Sequence, residues 1–191
     1  MSTIEYLPLH QDHFARLLTL ANSVHGDNYM DLPALQAYHQ AGLVNNINAS
    51  WVALDGERLV GFRITWAAGN WQTDKWCSPT LWGLPENQVC YFKCNTVDSQ
   101  YRAAGIGSQM LKLSVREAAK QGARAGLAHI WMQSPGNSAF KYFTKCGGKL
   151  VKEHPGKWQE NCDNEGYVCP ICGTQCDCVA AEMLLKFGRE A

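Results

Sequence analysis

The run Val97-Asp-Ser-Gln-Tyr-Arg102-Ala-Ala-Gly105-Ile-Gly107 decides how this chain is read. Before it, residues 89–97 are apolar in both alternating sets, the pattern of a strand buried on both faces of a sheet. After it, Met110, Leu111, Ser114, Val115 and Ala118 share one helical face, and Gly122 suits the helix end. A glycine-rich turn from a buried strand into an amphipathic helix has a specific chemical use. The first helical turn carries unpaired N–H groups and a partial positive charge, so it accepts phosphate. Gly105 and Gly107 let the backbone approach an anion closely, and Arg102 adds a charge-assisted contact. A tight turn that binds nothing is the alternative for so short a motif. No Gly-Lys-Ser/Thr follows, so this is not a Walker A loop, and the spacing is not the G-x-G-x-x-G of dinucleotide folds.

Outward from this turn the element order emerges. Residues 4–9 alternate weakly, as a first strand does. Asp12 precedes Phe14, Leu17, Leu18 and Ala21 on one helical face, and Asp31 with Pro33 opens a second helix. Residues 50–54 and 58–66 flank Asp55-Gly56, a strong hairpin signal. Residues 67–87 form a long irregular stretch holding Trp71, Trp76 and Trp82, too aromatic to be disordered. Residues 127–132 read as a strand, 138–145 as a short helix closed by Gly147-Gly148, and 149–152 and 183–187 as the last strands. The result is a mixed α/β sheet with helices on its faces. All 191 residues form a single domain, with residues 159–179 as an insertion within it.

Composition excludes several classes. Seventeen basic residues balance 17 acidic ones, so no cationic surplus exists for generic nucleic-acid binding. With 46% hydrophobic residues the chain is not intrinsically disordered. It has no apolar run near the ~20 residues of a membrane span. The first ten residues lack the basic and apolar regions of a signal peptide. An odd number of cysteines, nine, and no export signal point to a reducing cytoplasm.

The central strand, the Arg102-x-x-Gly105-x-Gly107 turn and the element order resemble the GNAT superfamily of acetyl-CoA-dependent N-acetyltransferases. The resemblance covers residues 4–157 and 183–187. It implies a mostly antiparallel sheet whose central strands splay apart after Val97, with pantetheine in the gap. Backbone groups of Asn95, Thr96 and Val97 would pair with pantetheine, and the amide of Val97 would face the thioester oxygen. The amides of Arg102, Ala103, Ala104, Gly105, Ile106, Gly107 and Ser108 would hold the pyrophosphate. Asn137 matches an Asn that often contacts the cofactor.

The family's acid is often a Tyr four residues before the closing Gly. Phe143 stands there, and Tyr142 is its neighbour. Adjacent helix positions differ by about 100°, so only one of them faces the sulfur. Tyr142 is the candidate acid, with a packing role as the alternative. The Glu that histone-type members carry on the central strand is Tyr91 here, which leaves His129, Glu86, His25, Asp27 or a water chain as base. The acceptor pocket would draw on His25, Asp27, Tyr29, Trp76 and Trp82, with Asp27 holding a cationic amine and a tryptophan stacking on it. The alternative is a satellite apolar cluster under the loop. The partners implied are acetyl-CoA and an amine acceptor, for a monomer or homodimer. A second class of reading is a non-catalytic acyl-CoA-binding module.

Five of nine cysteines, Cys162, Cys169, Cys172, Cys176 and Cys178, crowd into seventeen residues. Cys169-Pro-Ile-Cys172-Gly173 has the form of a zinc knuckle, and a tetrahedral site takes two further thiolates from the other three. Four thiolates leave no open coordination position, so the zinc would be structural. A redox dithiol is the alternative. Glu160, Asp163, Glu165 and Asp177 make the segment acidic, against nucleic-acid contact.

Overall fold

The computed structural model describes residues 3–188. Nine strands and five α-helices lie among them: β1 Glu5–Pro8, α1 Phe14–His25, α2 Leu32–Ala41, β2 Leu43–Val44, β3 Ile47–Asn48, β4 Trp51–Asp55, β5 Arg58–Trp66, β6 Val89–Val97, α3 Ile106–Lys120, β7 Ala125–Trp131, α4 Ser138–Lys145, β8 Lys149–Pro155, α5 Gln159–Glu165 and β9 Val179–Lys186. The main sheet runs β1-β4-β5-β6-β7-β9-β8, and β2 and β3 form a separate two-stranded ribbon. Every pairing is antiparallel except β6 with β7.

The period of two along each strand builds two cores. Val52, Leu54, Phe62 and Ile64 meet Phe14, Leu17 and Leu35 on the α1–α2 face. Trp51, Ala53 and Val60 meet Ile106 and Met110 of α3, while Cys90, Phe92 and Ala128 meet Leu111 and Phe143 on the same face. Asp31 caps α2 as its position suggests, its carboxylate accepting the Ala34 N–H at 2.9 Å.

The tryptophan-rich stretch covers the remaining sheet face. Trp82 packs on Val89, Tyr91, Leu127 and Leu184. A buried carboxylate pins the stretch: Glu182 of β9 accepts from the Ser78 amide and Trp82 Nε1, both at 2.8 Å, and pairs with His154 Nε2 at 3.0 Å. Residues 149–152 and 183–186 prove to be parts of longer strands, because β8 runs on to Pro155 and β9 begins at Val179, paired with each other up to the cysteine segment. That segment also contains α5, whose six polar residues around Cys162 give no apolar periodicity to read.

The expected position of the splay needs correction. β6 and β7 pair only over Val89–Tyr91 and Ala125–Leu127, so they part after Tyr91 and not after Val97. The Phe92 ring lies over Gly126 at this point, 2.1 Å from where a Cβ would stand, so only glycine fits there. One step further β6 bulges: Cys94 faces Ile64 and Phe92 faces Thr65, leaving Lys93 as the extra residue.

Candidate active site

The parted strands open a groove with a cavity of about 780 Å³. Residues of α3 and α4 line one end, and those of α1, α2, the 67–88 stretch and α5 line the other.

The α3 end is made largely of backbone. Gly105 caps α3 in the left-handed region at φ 78°, with nothing within 4 Å of where its Cβ would be. Ala103 also takes a positive φ of 64°, a conformation costing about 1–2 kcal/mol in a residue with a Cβ. Arg102, Ala103, Gly105, Ile106, Gly107 and Ser108 line the groove, as do Asn95, Thr96 and Val97; Ala104 does not. The Asp98 N–H bonds to Val60 of β5 at 2.8 Å. Alternation along the strand turns the Val97 N–H the opposite way, to the open side. Asn95 Oδ1 is buried without a partner, 3.9 Å from the Cβ position of Gly107. An unpartnered buried acceptor on this wall, open space above Gly105 and free helix-start amides fit an extended ligand that ends in phosphates.

Helix α4 places both neighbours along the groove, but only Tyr142 brings a polar group to it. Phe143 is 1% exposed and packs edge-on against Phe92, and its ring fills the place a Gly148 side chain would take. Tyr142, one position round the helix, lines the groove. Its hydroxyl accepts from Arg63 Nη2 at 2.5 Å and donates to the Gly107 carbonyl at 3.3 Å. Burial raises the Tyr142 pKa, and the Arg63 guanidinium works against that rise. Arg63 is 2% exposed, lies over the Phe92 ring and leaves Nε unpaired. Sequence reading missed it, because an Arg in an otherwise apolar strand gives no signal of where its guanidinium goes. Asn137 sits outside the groove lining at φ 52°, with Oδ1 buried and unpaired.

At the far end, His25 stacks on Tyr29 at 4.2 Å and bonds through Nε2 to Thr96 Oγ1 at 2.7 Å. Burial, then Arg102, push its pKa down to about 4. His129 Nε2 donates to the Trp76 carbonyl at 2.6 Å, so Nδ1 accepts the Tyr91 hydroxyl proton at 2.8 Å. Burial, followed by Lys157, lowers His129 to about 4 and keeps it neutral at pH 7. Trp76 lines the groove.

Two residues expected on the acceptor side lie outside the groove lining. Trp82 is 1% exposed in the core, because its indole N–H is committed to Glu182. Asp27 is exposed and outside the lining; it is the Asp27 carbonyl that is used, accepting the Val168 N–H at 3.4 Å. Glu86 is likewise exposed, bonded to Thr73 and away from the groove.

The cysteine segment closes this end. Tyr167 donates to the His25 carbonyl at 3.0 Å, and Asn28 to the Gly166 carbonyl at 3.1 Å. Gly26 approaches so closely that a Cβ would lie 2.3 Å from the Val168 carbonyl. Lys75 pairs with Glu160, and Lys157 lies 3.9 Å from Asp74. Within the segment, one sulfur each of Cys169, Cys172, Cys176 and Cys178 lies within 4.8 Å of the others. Zinc–sulfur bonds of about 2.3 Å in a tetrahedron space sulfurs about 3.8 Å apart. Sulfurs of Cys178 stand 3.8 Å from Cys169 and 3.4 Å from Cys172, so the donor set fits. Reciprocal backbone bonds of 2.9 Å between Cys169 and Gly173, the latter at φ 72°, form the knuckle. Cys162 stands outside the four, its thiol turned to the Gly173 carbonyl at 3.8 Å, which removes it from the expected ligand set. All nine thiols are free of disulfides.

Residues 14–147 match the acetyltransferase (GNAT) family, and the chain belongs to that family. The ribosomal-protein-S18-alanine N-acetyltransferase of Escherichia coli superposes with a TM-score of 0.69 at 10% identity, covering 99% of this chain and 97% of its own. The yncA protein of Salmonella typhimurium, solved with acetyl-CoA, gives 0.69 at 14% identity, with 98% and 96% covered. Arabidopsis thaliana Naa50, solved with the bisubstrate analogue CoA-Ac-MVNAL, gives 0.61 at 15% identity, with 98% and 100% covered. Likeness at such identities establishes a shared fold. The sequence has no significant match among curated proteins. Among the described residues, no helix is long and apolar enough to cross a membrane.

Proposed function

We propose that this protein transfers the acetyl group of acetyl-CoA to a primary amine by direct attack. The observation that carries the reading is Tyr142, held at the groove by Arg63 and the Gly107 carbonyl, on the helix next to the glycine turn. The yncA and Naa50 structures, solved with acetyl-CoA and a CoA conjugate, support the same ligand here.

Acetyl-CoA supplies an activated thioester. Arg102 and the amides at the start of α3 would hold its pyrophosphate. The Val97 N–H is a fixed donor for charge that develops on the carbonyl oxygen. Tyr142 gives its proton to the leaving sulfur, and Arg63 favours that loss by stabilising the phenolate. On the acceptor side Tyr91 takes the amine proton as it passes its own to His129 Nδ1 along their hydrogen bond. Cys169, Cys172, Cys176 and Cys178 would hold a structural zinc that braces the acceptor wall.

The test is calorimetric titration with acetyl-CoA, with CoA and ATP as comparisons, followed by turnover on an amine panel. Binding of acetyl-CoA and CoA but not ATP, with CoA released on addition of amine, is expected. Acetyl-CoA binding with no amine turned over would favour the non-catalytic module; no binding at all would overturn both.

A further inference from the structure

The acceptor chamber holds a cation that the transfer chemistry leaves unused. Lys93 is the extra residue of the β6 bulge, and it lines the groove two residues past the last β6–β7 pair. Its ammonium sits 5.0 Å from the Tyr38 ring centre and 5.2 Å from that of Trp66. Aromatic faces attract a cation without carrying a net counter-charge. Burial drives the Lys93 pKa down, while Cys94, Glu165 and Asp74 work the other way.

No carboxylate among the described residues forms an ion pair with Lys93. Those around the chamber are engaged elsewhere. Asp74 accepts the Trp76 amide and faces Lys157, Glu160 pairs with Lys75, and Glu165 accepts from the Asn161 side chain. Arg63, which is buried, is engaged by Tyr142 at the opposite end of the groove. An ammonium partly withdrawn from water without a counter-charge is costly, and here the open side of its cage is the groove. A ligand anion placed there would complete the site.

We propose that Lys93 is a specificity residue for the acceptor, and that the acceptor is an amine bearing a carboxylate that pairs with this ammonium. The inference rests on the acetyltransferase reading and names its substrate class. A free amino acid and a chain N-terminus with an acidic residue beside it offer the same chemistry.

The test uses the full chain loaded with CoA and measures binding of acetylated products in matched pairs. One arm compares twenty N-acetyl amino acids with their C-terminal amides. The other compares N-acetyl peptides carrying Glu or Gln at the second position. The carboxylate member of at least one arm is expected to bind about tenfold or more tighter. Preference in the first arm identifies a small-molecule acceptor, and preference confined to the second identifies a peptide. Lys93→Met should erase the preference at unchanged acetyl-CoA affinity, and Lys93→Arg should keep it. Equal or undetectable binding of both members overturns the inference, as does a preference that survives in Lys93→Met. A Lys93→Met protein that keeps the preference in binding and loses turnover on both members would mark Lys93 as a proton acceptor and also overturns it. Failure of acetyl-CoA itself to bind sinks the parent reading instead, and is read from the same titrations.

Discussion

The two ends of the groove are built on opposite principles. The α3 end draws mainly on residues between 95 and 108, with α4 beside them, and offers main-chain N–H groups and empty space above glycine. The acceptor end is assembled from four separate stretches, α1–α2, the 67–88 segment, β6–β7 and the cysteine segment, and works through side chains. A backbone site depends on local conformation and tolerates change elsewhere. A side-chain site depends on every element that holds it. Perturbations should therefore separate the two ends cleanly.

The largest separation is expected from Gly107→Glu, which puts bulk and negative charge at the start of α3. Acetyl-CoA affinity should fall about a hundredfold or more, close to 3 kcal/mol, with circular dichroism and the thermal midpoint little changed. Unaltered affinity in calorimetry would break the assignment of that end. Tyr142→Phe should leave acetyl-CoA binding alone and cut kcat by about a hundredfold, within the range of general-acid effects. Arg63→Gln should do less to the rate. Because the guanidinium lowers the Tyr142 pKa, its removal should also move the alkaline limb of kcat to higher pH. A full rate in Tyr142→Phe would return that residue to packing.

The acceptor end should respond to the metal site. Chelation, or Cys169→Ser with Cys172→Ser, should release zinc, lower the thermal midpoint and raise acceptor KM about tenfold at constant acetyl-CoA affinity. Zinc retained at full stoichiometry would show that other ligands hold it. The smallest effect is the pH dependence of stability. His25 and His129 have folded pKa values of about 4, below the 6.5 of an unperturbed histidine. The unfolded chain then binds more protons between those values, so their contribution is complete above about pH 6.5 and is lost as pH falls toward 4. Urea midpoints at pH 7.5, 5.5 and 4.5 should fall in that order, and less steeply in His129→Gln. Equal slopes for the two proteins would remove His129 from the effect.

What was legible follows the same division. The hairpin around Asp55-Gly56, the Asp31 cap and the α3 turn are all local signals, in which a residue's φ, its cap or its two-residue period acts on its immediate neighbours. The knuckle at Cys169 and Cys172 is local in the same sense. Long-range choices were not legible. Trp76 and Trp82 are six residues apart in the same stretch, yet one lines the groove and the other is spent on Glu182. Asp27 and Arg63 exchanged the importance their chemistry suggested, because Asp27 contributes only its carbonyl to the cysteine segment while Arg63 points inward at Tyr142.

Sequence alone determined the family resemblance, the glycine-rich turn into α3 and the thiol cluster, since each rests on residues close together in the chain. Only the tertiary structure decided where the strands part, that the Tyr142 hydroxyl meets Arg63 and Gly107 while the Phe143 ring packs on Phe92, which four thiols converge, and that Lys93 sits between two aromatic rings without an ion-pair partner. Those outcomes depend on which distant side chains compete for the same space and the same hydrogen bonds. That competition is resolved only when the sheet, the long loop and the cysteine segment pack together.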